Sequence, residues 1–227
     1  GIAFRSFSPT TLKSRSFPQL STVLAGSTST QWESTPSVAR TLNFRLTVRD
    51  NVAGGGANNS DDMVVNVNSS AGPFVVSTPN TNITWNANQL QTVTWDVAGT
   101  TGAAVNCQTV NILLSTDGGN TYPITIASGI ANNGSAQITV PNNIGTQNRI
   151  KVEAADNIFY DVSNSNFTIA GEVVCNATVP TGLAFSNVSA SGATLTWNSV
   201  SGATYNVQYR QVGTSTWTTV NSGVTST

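Results

Sequence analysis

Apolar and polar residues alternate along most of this chain with a period of two. In "RTLNFRLTVRD", residues 40–50, Leu42, Phe44, Leu46 and Val48 face one way and Asn43, Arg45, Thr47 and Arg49 the other. That pattern predicts a half-buried strand. "MVVNVN", 63–68, is the returning strand, reached through the flexible connection "NVAGGGANNSDD", 51–62. Residues 1–20 read as an irregular extended segment, and "LSTVLAG", 20–26, as one short helical turn or a strand. A lone hairpin is marginal in water. This first module therefore either uses the first forty residues as further strands or lacks a part.

The region 73–170 is the most legible. "QTVTWDVAG" places Val93, Trp95 and Val97 on one face, and "TVNILLST" does the same with Val110, Ile112 and Leu114. "YPITIA", "AQITVP", "NRIKVEAAD" and "SNFTIA" follow, with Gly, Asn and Pro between them. About seven short strands at such spacing predict a β-sandwich of two antiparallel sheets. "AGEVVCNATVPTG", 170–182, is a linker. Beyond it, the spacing of Leu195, Trp197, Tyr205, Val207, Tyr209 and Trp217 resembles a fibronectin type III domain, of which fewer than about fifty residues are present where such sandwiches need ~100. The fold class expected is all-β, serial immunoglobulin-like or fibronectin type III-like sandwiches.

Composition sharpens this picture. Only 8% of the 227 residues are charged, yet 38% are apolar and fall in ordered runs, so the chain folds and carries a neutral surface rich in hydroxyls and amides. A net charge of −1 implies no phosphate-tracking surface, and no basic residue belongs to a nucleic-acid-binding motif. No apolar run approaches the ~20 residues of a membrane span. "GIAFRSFSPT" lacks the apolar core of a signal peptide, so any export address is expected outside this chain.

Candidate chemistry is sparse. Asp117, Gly118, Gly119 and Asn120 sit between apolar runs and suit a turn, since Asp accepts backbone hydrogen bonds and Gly takes positive φ. Too few oxygen donors follow for a calcium loop. Asp50, Asp61 and Asp62 flank the triple-glycine loop and form one calcium candidate; Asp156 and Asp161, in "AADNIFYDVSN", form a second. The competing reading of the first group is a solvated loop whose acidic ends discourage edge pairing, and of the second a tight turn. Cys107 and Cys175 match no zinc or redox spacing. Paired with each other they would close a loop worth about 4 kcal/mol; the alternative is that each pairs with a cysteine outside this sequence.

With no histidine the chain supplies neither a HExxH zinc site nor an imidazole base. Nothing places two carboxylates across a cleft as a glycosidase requires, and among the glutamates Glu153 alternates outward from Val152 and Ala154. Trp95 and Trp197 run in phase with apolar strand residues and read as core; Trp32, Trp85 and Trp217 are less constrained and leave a sugar-stacking surface open. The many Asn-x-Ser/Thr matches carry meaning only in a eukaryotic secretory pathway.

"FRSFSPT", "VARTLNFRLTVRDN", "AGPFVV", "QTVTWDVAGT", "NILLSTDGGNTYPI" and "VPNNIG…NRIKVEAADNIFYDVSN" resemble the non-catalytic region of secreted reprolysin-like zinc metallopeptidases of Bacteroidetes. The resemblance covers roughly residues 1–170. It implies four parts: 1–70 as the later portion of an Ig-like sandwich, 73–170 as a complete sandwich, 171–178 as a linker and 179–227 as the start of a fibronectin type III domain. It further implies a spacer in a secreted or cell-surface bacterial peptidase exported by the type IX route. Zinc and catalytic residues would lie in a partner domain of the same longer chain, with no cofactor here beyond the calcium candidates. The alternative is a structural or adhesive surface protein that contacts matrix or protein, or self-associates by strand addition.

Overall fold

The computed structural model describes residues 4–6, 8–173 and 178–225. The chain divides into two compact units, Gly1–Val173 and Val174–Thr227.

The first unit contains a helical turn α1 (Leu20–Leu24), a long hairpin of β1 (Arg40–Arg49) and β2 (Asn58–Val67), and a sandwich. The sandwich comprises β3 (Val75–Thr78), β4 (Thr84–Asn86), β5 (Leu90–Asp96), β6 (Thr109–Ser115), β7 (Ile124–Ala131), β8 (Ser135–Thr139), β9 (Gly145–Ala154), β10 (Tyr160–Val162) and β11 (Phe167–Ala170). One sheet runs β4-β11-β9-β6-β7, with β10 also paired to β9; the other runs β3-β5-β8. The fold is all-β with Ig-like sandwich architecture, as the alternation implies. One detail departs from it: β4 and β11 pair in parallel, Trp85 opposite Ile169. Strand alternation reports which face is buried but not which neighbour a short edge strand meets.

The period of two is realised as burial. Val110, Ile112 and Leu114 of β6, Ile150 and Val152 of β9, Val93 and Trp95 of β5, and Phe167 and Ile169 of β11 close one core. Each such side chain removed from water contributes about 1.5–3 kcal/mol. Trp85 packs edge-on against Phe167 at 4.9 Å between ring centres. Asn132, one of several buried polar side chains, is fully bonded. Asn132 accepts from Trp95 Nε1 at 2.8 Å and donates to Thr100 Oγ1 and to the Cys107 carbonyl, both at 3.0 Å, as a buried amide must be.

The β1–β2 hairpin is far barer. Its ten rungs pair in unbroken register, Leu42 opposite Val65, Phe44 opposite Met63 and Arg45 opposite Asp62. Among the described residues, the base of its apolar face is covered by Phe4 and Phe17, whose rings lie 5.7 and 4.9 Å from that of Phe44. Thus the first residues support the hairpin as an irregular aromatic pad rather than as further strands.

The second unit is two short ribbons. β12 (Ala184–Ser186) pairs with β13 (Thr194–Thr196), and β14 (Tyr205–Tyr209) with β15 (Thr218–Val224). Trp197 and Tyr205 meet edge to face at 5.1 Å, while Leu183, Phe185, Trp217 and Val220 stay exposed.

Candidate functional site

The outer face of the larger sheet carries the densest polar constellation. Alternation on β9 that sends Ile150 and Val152 inward sends Arg149, Lys151 and Glu153 outward, across from Ser115, Leu113 and Asn111 of β6. Lys151 pairs with Glu153 at 2.5 Å and lies over the rings of Tyr122 and Tyr160. Arg149 donates to Asn166 Oδ1 at 2.7 Å, to the Ser163 carbonyl at 3.0 Å and to the Leu24 carbonyl at 3.4 Å. That last bond ties the N-terminal strap, residues 15–33, to the sandwich.

The Asp117–Asn120 turn lies under this strap. Asp117 accepts from Ser115 Oγ at 2.6 Å, from Thr121 N at 3.0 Å and from Thr121 Oγ1 at 2.6 Å. Gly119 N in turn donates to Ser115 Oγ at 2.8 Å. Gly118 and Gly119 take φ of +77° and +96°, the region that favours glycine. These hydrogen bonds hold the Asp117 carboxyl down at about 2, against an ordinary 3.8. A folded-state value below the unfolded one stabilises the native chain above pH ~4, and that contribution is lost as pH falls toward 2. Urea melts of the parent and of Asp117→Asn are expected to differ at pH 5 and to converge near pH 2; a gap that stays constant with pH would contradict this.

The other acidic side chains are likewise occupied. Asp50 accepts from Val52 N and Ala57 N and closes the β1–β2 connection. Asp62 holds Arg45 in a two-pronged pair at 2.6 and 2.7 Å, whereas Asp61 accepts from Asp62 N and stands opposite Leu46. Strand alternation therefore separates Asp61 from Asp62. Asp161, on β10, accepts from Val76 N at 2.7 Å and so caps an N–H of β3; burial raises its carboxyl above the usual range. Asp156 lies beside the Cys107 thiol. Asp96 accepts from Ala98 N, and Glu172 from Asn88. Glu33, with a fully buried carboxylate, accepts from Arg15 and from Gln19 N at 2.8 Å. Among the described residues no three His, Cys, Asp or Glu side chains converge.

Cys107 is a buried free thiol that donates to the Thr109 carbonyl, and Cys175 lies outside the described residues. Burial, with Asp156 adding to it, pushes the thiol up to about 11 from 9.0. That leaves about 100-fold less thiolate at a given pH, and thiolate is the reactive form. In a Cys175→Ser background, a thiol reagent at pH 8 is expected to label the folded chain at least ~100-fold more slowly than the urea-unfolded chain. Equal rates would refute the burial.

The tryptophans separate cleanly. Trp85 and Trp95 are core, and Trp197 is half-buried; Trp32 and Trp217 are exposed. A guanidinium lies over each exposed ring, Arg5 over Trp32 at 4.5 Å and Arg210 over Trp217 at 4.7 Å. Alternation could not place Trp85, because β4 is only three residues long. Two shallow grooves lie on the first unit. One is polar, lined by Asn82, Thr146, Arg149, Asn164, Ser165 and Thr168. The other has an aromatic floor of Phe4, Phe17 and Phe44 with Arg5, Arg15 and Arg45 around it.

Two stacked sheets around one apolar core define an Ig-like module. Residues 78–169, less than half of the chain, match the model of a family described as the Kre9/KNH-like N-terminal Ig-like domain. No curated protein matches the chain. The match overturns the resemblance to a metallopeptidase accessory region running into a fibronectin type III domain. The segments quoted for it from "QTVTWDVAGT" onward fall within the residues matched by that model, which is of an Ig-like domain and not of a metallopeptidase region. With it fall the spacer role, the parent peptidase, the catalytic partner domain, the type IX route and the bacterial location.

Proposed function

We propose that this chain is a structural or adhesive section of an extracellular surface protein, built of Ig-like modules and performing no reaction of its own. The likeness of residues 78–169 to a Kre9/KNH-like Ig-like domain supports this reading. The observation that carries it is the use made of the acidic side chains. Nine of the ten are tied into structural bonds: turns at Asp50, Asp96 and Asp117, the cross-strand pair to Arg45 at Asp62, the pair to Lys151 of the same strand at Glu153, an edge cap at Asp161, the strap at Glu33 and local contacts at Asp61 and Glu172; the tenth, Asp156, lies beside the Cys107 thiol. A carboxylate committed to holding backbone is a poor general acid or base.

A neutral exterior of amides and hydroxyls suits contact with uncharged, hydroxyl-rich polymers, to which it offers hydrogen bonds without long-range charge. The test is co-sedimentation of the purified chain with insoluble cell-wall polysaccharide, followed by assays of the supernatant for released sugar and of added protein for cleavage. Retention on the polymer without bond cleavage is expected. Cleavage of peptide or glycan by the pure chain, or its complete recovery in the supernatant, would overturn the reading.

A further inference from the structure

The hairpin holds two ten-residue strands that, among the described residues, pair only with each other. Among the described residues no backbone hydrogen bond reaches the outer edge of β1 or of β2. Such edges template further strands unless something blocks them. At the distal half of the apolar face, Leu46, Val48 and Met63 are 68%, 61% and 55% exposed. The hairpin therefore presents both open edges and uncovered apolar area.

Its two strands differ in charge. β1 carries Arg40, Arg45 and Arg49 and no acid; β2 carries Asp61 and Asp62 and no base. Two β1 edges meeting each other would bring arginines together, and two β2 edges would bring aspartates together. Like charges across strands disfavour both symmetric pairings. Unlike edges attract. The hairpin itself shows that the two sequences fit: Arg45 grips Asp62, Thr41 bonds Asn66 at 2.9 Å, and Leu42 and Phe44 face Val65 and Met63.

We propose that a second copy of this chain occupies each edge, the outer edge of β1 receiving the outer edge of β2 from the next copy in the hairpin's own antiparallel register. Repetition of that contact builds a continuous sheet. On one face Arg45 and Asp62 alternate across it as a charge ladder. On the other, Leu42, Val65, Phe44 and Met63 stack in apolar rows. The contact is heterologous, so it generates an open chain of copies rather than a closed dimer. It explains how charged residues on open edges serve two ends at once, blocking symmetric pairing while admitting the head-to-tail one. The proposal does not depend on the adhesive reading, because it concerns copies of this chain and no polymer.

Two measurements on the full chain test it. Sedimentation velocity is expected to show a weight-average mass that passes twice that of a single chain as concentration rises, and that falls in 1 M salt through screening of the charge ladder. A single-chain mass at every concentration, or growth that ends at a dimer, would overturn the proposal. The second measurement reads register. Thr47 and Ser60 are exposed and directly opposite in the hairpin, at a separation that a disulfide spans across a strand pair. In a Cys175→Ser background, Thr47→Cys is mixed with Ser60→Cys under mild oxidation. The mixed disulfide is expected to exceed either homodimer by at least tenfold. Prevalence of the Thr47→Cys homodimer, or no cross-link at all, rejects it.

Discussion

Replacing Gly119 with alanine is expected to destabilise the first unit by about 2–4 kcal/mol. A Cβ at this position would lie 2.4 Å from Leu24 Cδ2, 2.9 Å from Tyr122 Oη and 3.3 Å from Arg149 Cδ. Overpacking of this kind costs about 1–3 kcal/mol. The backbone at φ +96° adds the left-handed penalty of about 1–2 kcal/mol for a residue with a side chain. The neighbouring glycine is the control. A Cβ at Gly118 meets only Gln147 Oε1, at 3.8 Å, so Gly118→Ala bears the backbone penalty alone. Urea midpoints are expected to fall about twice as far for Gly119→Ala, with hydrogen exchange around Leu24 accelerating in that variant only. Equal midpoints for the two variants would show that the strap does not rest on this turn.

The second large effect belongs to Glu33. Its carboxylate is fully buried, yet the partner Arg15 remains about one third exposed. Removing one member of a buried pair costs about 3–5 kcal/mol, because the other loses its compensation. The partial exposure of Arg15 puts Glu33→Gln near 3 kcal/mol. Gln19 N, which opens α1, keeps an acceptor in that variant and loses it in Glu33→Ala. The alanine variant should therefore be the worse of the two. The loss is local: amides of residues 15–35 are expected to exchange faster, while those of β6 and β9 in the core keep their protection. A Glu33→Gln midpoint within ~0.5 kcal/mol of the parent would show that the strap is held by something else.

How far these features could be read in advance depends on the distance between the partners. The β1 strand, the sandwich strands and the inward direction of Val93, Trp95, Ile112 and Leu114 follow from a period of two, a property of neighbours in sequence. The Asp117 turn is equally local, since its partners Ser115 and Thr121 lie within four residues. Glu33 gave no signal. It reads as one of three glutamates in a polar stretch, and its burial depends on Arg15 and Gln19, 18 and 14 residues away. Arg149 is more extreme, because its bond to Leu24 crosses 125 positions. Asp161 was legible as an acid near a turn, but its use as a cap on β3 joins residues 85 apart. The kinship read from short stretches of wording failed for a related reason. Sandwich strands share apolar and turn residues for reasons of packing, so likeness of that kind follows fold more closely than function.

The amino-acid sequence by itself determined that this protein is all-β, nearly neutral at its surface and without an imidazole base, because periodicity and residue chemistry need no partner to act. Tertiary structure alone decided that nearly every acid is bound up in the scaffold, that the N-terminal strap closes over a glycine turn, and that, among the described residues, one hairpin is left with two open edges of opposite charge. Those outcomes are set by contacts between residues far apart in the chain, which only the packed molecule brings within reach of each other.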